Sequence, residues 1–127
     1  MKWNSSVALL VSLALGLSLT ALSCKGKSNP VNPGPPADVT INIVADMGSG
    51  AFGAIPETVL VGQRVSWRNM RSTTHTATSN GGPAAGQWNT SNIGPGVTSA
   101  SIQMNTAGTY PYHCTIHPTM TSTLVVQ

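Results

Sequence analysis

The sequence predicts one all-β domain, a sandwich or barrel, from three observations. From Asp38 onward, short runs rich in Val, Ile, Thr, Trp and Tyr are separated by Gly, Pro and Asn, the pattern of strands broken by turns. No stretch sustains a helical period. Residues 38–127 are enough for one hydrophobic core and too few for two.

Residues 1–23 read as a targeting segment and not as fold. Lys2 supplies a positive start, Val7 to Leu22 is apolar, and Ala21-Leu-Ser-Cys24 places small residues just before a cysteine. This resembles a bacterial lipoprotein signal, which implies that Cys24 is acylated and becomes the first mature residue. An ordinary cleaved signal or a single uncleaved anchor helix is the plainer alternative. The apolar run is shorter than the ~20 residues a spanning helix needs, and Ser12, Gly16, Ser18 and Thr20 interrupt it. The expected location is the bacterial cell envelope, periplasm or outer surface, with the lipid on Cys24 as the membrane anchor.

Residues 24–37 follow as a semi-rigid linker. Gly26, Asn29, Pro30, Asn32, Pro33, Gly34, Pro35 and Pro36 make a composition that buries no core and holds the domain off a membrane. The strand candidates are then Val39 to Ala45, Thr58 to Val61, Val65 to Asn69, Thr74 to Ser79, Val97 to Met104, Gly108 to His113 and Ser122 to Val126. The longer connection from Pro83 to Pro95 contains Trp88, read as a packing residue.

Charge narrows the partners. The chain carries +3 at pH 7, and losing Lys2 with the signal leaves 3 − 1 = +2. Nucleic-acid binders carry a dense, clustered basic footprint, so that class is excluded. Arg64, Arg68 and Arg71 lie close together in sequence and read either as a weak basic rim for an acidic partner or as a solvated strand face.

The chemistry concentrates in Tyr110-Pro-Tyr-His-Cys-Thr-Ile-His-Pro-Thr-Met120. Cys114, His117 and Met120 stand three residues apart, and an extended chain advances only ~3.3 Å per residue, so one turning loop can bring thiol, imidazole and thioether onto one ion. Thiolate with imidazole suits copper, zinc or iron; a thioether is a natural weak axial ligand for copper. The alternation of a strand puts Tyr110, Tyr112 and Cys114 on one face and His113 on the other, so His113 points away. Cys114 has no partner besides Cys24, and a lone thiol in an oxidising envelope is a liability that metal ligation answers. A small buried hydrophobe is the bland reading of Cys114, but it leaves His117 and Met120 unexplained.

A fourth ligand would come from a distance. His75 is the remaining histidine once His113 is set aside, and sequence geometry leaves it open between a ligand and a surface residue. Met47, Met70 and Met104 lack ligand neighbours, so Met120 is the candidate axial ligand.

The run from Gly108 to Met120 resembles the copper-binding loop of the small type 1 blue copper proteins, the cupredoxin family, closest to its amicyanin, plastocyanin and pseudoazurin branches. Pro56 to Asn69 is similar to the strand pair before that family's first histidine, and Thr74-His-Thr-Ala-Thr-Ser79 to the strand that carries it. The resemblance implies a Greek-key sandwich or barrel of the cupredoxin type over residues 38–127. It implies one mononuclear type 1 copper held by His75, Cys114, His117 and Met120, and a monomer that is no enzyme and passes electrons between transient redox protein partners. It further implies an apolar docking patch at Ile116, Pro118 and Pro95, and an Asn69 side chain that bridges loops. Thr76 stands where relatives have a bracing asparagine, and Ser122 where they have glycine. The rival functions are a copper-storing or copper-delivering lipoprotein and a zinc-bound or metal-free adhesive sandwich.

Overall fold

The computed structural model describes residues 35–53 and 56–127, which fall in one compact unit. The expected signal segment, Cys24 and most of the expected linker lie outside the described residues. Among those described, the fold is all-β apart from one 3₁₀ turn at Ala84–Gly86, and no helix is long and apolar enough to cross a membrane.

Seven strands form two sheets. They are β1 (Val39–Ile43), β2 (Glu57–Val59), β3 (Arg64–Asn69), β4 (Thr78–Ser79), β5 (Ile102–Gln103), β6 (Gly108–His113) and β7 (Thr121–Val126). One sheet runs β1-β3-β5 and the other β2-β7-β6-β4. Both are mixed: β1 is parallel to β3 and β2 is parallel to β7, while β6 pairs antiparallel with β7 and with β4. This is the sandwich the sequence predicts.

Alternating side chains fill the space between the sheets. Ile41 and Ile43 of β1, Val65 and Trp67 of β3, Tyr110 and Tyr112 of β6, and Leu124 and Val126 of β7 are all buried. Trp67 reaches across to Tyr112 edge-on at 5.9 Å and stacks on Trp88 at 5.8 Å, while Phe52 sits 4.7 Å from Tyr112. These rings join the two sheets and floor the end of the sandwich where the functional loop sits. Burying such side chains is the main drive for the fold, and Trp88 packs as expected.

Strand ends depart from the sequence expectation where side chains, or at β1 another backbone carbonyl, take the bonds that a ladder would use. The expected strand from Thr74 to Ser79 keeps regular pairing only at Thr78–Ser79. Upstream, the Thr76 amide points at the Cys114 sulfur and the Ala77 amide donates to Thr90 Oγ1. In the expected strand from Val97 to Met104, Ser99 Oγ accepts from the Trp67 amide, and regular pairing survives only at Ile102–Gln103. β1 stops at Ile43 because the Val44 and Ala45 amides both turn to Ala51 O. The β2–β3 turn tightens after Val59, where Leu60 donates to Gln63 Oε1 and Gly62 adopts φ +93°, a region glycine enters without steric cost.

Candidate metal centre

β6 carries its alternation into the loop that follows. Tyr110 and Tyr112 face the core, and Cys114, next in that series, is fully buried. The loop then closes on itself: Cys114 N donates to Met120 O at 3.0 Å and Met120 N to His117 O at 2.9 Å. Its two ends are pinned by the pair His113 and Thr121 of the β6–β7 ladder. Residues 114–120 are therefore a tight turn between fixed strands, with Met120 fully buried and His117 half-buried.

His75 arrives from the connection between β3 and β4. Two backbone bonds to Ile93, 3.1 Å and 2.7 Å, hold it in place. Asn69, buried at the end of β3, anchors both segments: its Nδ2 donates to Thr73 O at 2.7 Å and to Ile93 O at 2.9 Å, and its Oδ1 accepts from the Arg71 amide. This is the loop-bridging role expected for Asn69.

The donor atoms of His75, Cys114 and His117 all lie within 4.8 Å of one another. Cys114 Sγ is 3.8 Å from His75 Nδ1 and 3.6 Å from His117 Nδ1, and the two imidazole rings are tilted at 45°. An ion about 2.0 Å from nitrogen and about 2.3 Å from sulfur, with its bonds spread trigonally or tetrahedrally, needs S···N separations of ~3.5–3.8 Å. The two sulfur–nitrogen separations fit one small ion. Met120 is tied through its backbone to both Cys114 and His117 and completes a thiolate, two imidazoles and a thioether, the set that suits copper. His113 is left out of the group, as the strand alternation predicts, and its Nδ1 is buried without a hydrogen-bond partner.

Thr76 braces the loop in spite of its short reach. Its hydroxyl accepts from Thr115 N at 2.8 Å and shares a 3.0 Å bond with Thr115 Oγ1, while its amide donates to Cys114 Sγ at 3.3 Å. Ser122 is buried opposite Tyr112 in the β6–β7 register, with its Oγ unpartnered. Ile116 is 46% exposed, and Pro118 and Pro95 are exposed. The three arginines are engaged separately, Arg64 with Gln103, Arg68 with Met70 and Arg71 with Asp46.

One residue at the site has no counterpart in the sequence reading. Asp46 Oδ1 lies 3.0 Å from His75 Nε2 and accepts from Thr73 Oγ1 at 2.6 Å, while Oδ2 accepts from Arg71 at 3.0 Å and 3.3 Å. The Arg71 and Thr73 hydrogen bonds hold the Asp46 carboxyl well below the usual carboxylate range. As an ionised acceptor it fixes the proton of neutral His75 on Nε2, which turns the Nδ1 lone pair toward Cys114. Burial pushes the His75 imidazole below its ordinary value, against the opposing pull of the Asp46 hydrogen bond. Asp46 sits in the plain run Ala45-Asp-Met-Gly48, and its only sequence signal is that the chain has 3 acidic residues in all.

No protein family and no curated protein matches the chain. Solved structures do. An oxidised amicyanin variant is 27% identical, with 70% of this chain and 81% of that chain covered at a TM-score of 0.58. A reduced Cu(I) amicyanin variant at pH 4 is 26% identical, with 73% and 85% covered at 0.59. The chain has the cupredoxin fold. The all-β sandwich and the loop between its last two strands match those expected of a cupredoxin. Within that fold the group of buried His75 and Cys114 and half-buried His117, with a buried Met120 on the same loop, has the make-up of a type 1 copper site.

Proposed function

We propose that this protein is a cupredoxin, a small blue copper electron-transfer protein in which His75, Cys114, His117 and Met120 hold one copper ion. The observation that carries the proposal is the convergence of one sulfur and two imidazole nitrogens within 4.8 Å, beside a buried methionine on the same loop. Copper bound there would supply a one-electron Cu(I)/Cu(II) couple.

The residues have distinct work. Cys114 loses its proton on binding, and the Thr76 amide donates to the resulting thiolate. His75 and His117 each turn Nδ1 toward the Cys114 sulfur, and Met120 would offer its thioether as a weak further donor that tunes the potential. With four protein donors there is no open position for a substrate, which suits a carrier and not an enzyme. The loop's own hydrogen bonds, together with Asn69 and Thr76, keep the donors in place between oxidation states. Of the two site histidines His117 is the half-buried one, flanked by exposed Ile116 and Pro118, so we assign exchange with transient redox protein partners to that edge, with the protein acting as a monomer. We further propose that Cys24 carries lipid, that residues 24–37 tether the domain, and that it works at the bacterial cell envelope.

The test is an absorption and EPR spectrum of the copper-loaded full chain. An intense blue band with narrow parallel hyperfine splitting is expected, together with copper retained against a chelator through repeated redox cycles. A colourless, redox-silent protein would overturn the proposal, and ready loss of copper would favour a delivery role.

A further inference from the structure

We propose that Asp46 and Arg71 form a charge pair that sets the reduction potential through His75, the two residues pulling in opposite directions. The inference rests on the copper reading above and goes beyond it, because neither residue is a ligand.

The geometry isolates the effect. The His75 ring is fully buried, and among the described residues its outward nitrogen meets Asp46 Oδ1 and Thr73 Oγ1, at 3.0 Å and 2.9 Å. The carboxylate is oriented from several sides: Thr73 and His75 hold Oδ1, while Arg71 holds Oδ2. It therefore presents a full negative charge, 31% exposed, to the back of a buried ligand. A carboxylate on the far nitrogen of a metal-binding histidine fixes the tautomer and raises the basicity of the ligating nitrogen. Both that effect and plain Coulomb attraction favour the more positive oxidation state and lower the potential.

Arg71 lies one step farther out on the same carboxylate, 42% exposed. Its positive charge offsets part of the field of Asp46 and so raises the potential. A merely structural Arg71 predicts something else. If it only steadied Asp46, its loss would loosen the bond to His75 and shift the potential the same way as loss of Asp46. Thr73 keeps its own grip on Oδ1, so the carboxylate stays seated when Arg71 is removed. The sign of the Arg71 effect thus separates an electrostatic role from a scaffold role.

The experiment compares the copper-loaded full chain with Asp46→Asn, Arg71→Gln and the double variant by spectroelectrochemical titration of the blue band. Asp46→Asn should raise the potential, Arg71→Gln should lower it by a smaller amount, and the double variant should fall between Asp46→Asn and wild type, as for coupled neighbours. An Asp46→Asn potential at or below wild type, or a rise in Arg71→Gln, would overturn the inference. Should Asp46→Asn fail to fold, the sign of the Arg71→Gln shift still decides. Nitrogen NMR of the metal-free chain gives a second readout: His75 should hold its proton on Nε2 in wild type and Arg71→Gln, and a wild type protonated on Nδ1 would count against Asp46. A wild type without a blue band overturns the copper reading itself, whereas a blue protein indifferent to Asp46 overturns only this inference.

Discussion

Thr76→Ala should loosen the cysteine loop by a measurable amount. The substitution removes the acceptor for the Thr115 amide at 2.8 Å and the 3.0 Å bond to Thr115 Oγ1. It leaves the Thr76 amide, and so its contact with Cys114 Sγ, in the backbone. One lost hydrogen bond is worth about 1 kcal/mol, and an amide left unsatisfied costs about 1–3 kcal/mol. Thr76 is buried but Thr115 is exposed, so water can reach the freed amide and the low end applies, about 1–2 kcal/mol. For a domain of this size each kcal/mol lowers Tm by about 4–8 °C, which gives a fall of roughly 4–16 °C. Thermal unfolding of the metal-free protein followed by circular dichroism measures it. Thr76→Ser, which keeps the hydroxyl, should recover most of the loss. An alanine variant as stable as wild type, or a serine variant no better than alanine, would refute the bracing role.

Three further outcomes are expected. Trp67→Ala removes the fully buried ring that stacks on Trp88 and meets Tyr112, so it should cost about 3–5 kcal/mol, read from denaturant midpoints. Metal-free protein should lose stability in acid: the folded His75 imidazole takes up its proton at lower pH than the unfolded one, so stability is full above about pH 6.5 and declines as pH drops below it. The depressed Asp46 carboxyl adds a second loss only below about pH 3.9. Urea midpoints that do not move between pH 8 and 5 would contradict the first of these steps. Ile116→Glu places a charge on the exposed residue beside His117 and should slow electron self-exchange, measured by NMR line broadening in mixed oxidised and reduced protein, without bleaching the blue band.

The parts of the site legible in the sequence are those set by local spacing. Cys114, His117 and Met120 fall within one loop, and strand alternation alone separates Cys114 from His113. His75 needed more, because the bonds that seat it run to Ile93 and depend on Asn69. Nothing near Asp46 marks it, since its partners Arg71, Thr73 and His75 meet it only after the chain has folded. The fold class followed from short β-rich runs and turns, while strand limits did not, because Ser99, Thr90 and Thr76 intercept backbone partners through contacts between segments far apart in sequence. The 3₁₀ turn at Ala84–Gly86 was hidden for a similar reason: it lies against the Tyr110 ring, where a Cβ at Gly86 would collide.

The turn between β6 and β7 begins and ends on one ladder pair, His113 and Thr121, and all its donors but His75 are internal to it. Residues could be inserted or exchanged between those two posts without disturbing either sheet. The fold thus separates a durable chassis from a replaceable cartridge, and selection can retune metal preference or driving force by editing seven consecutive codons, positions 114–120.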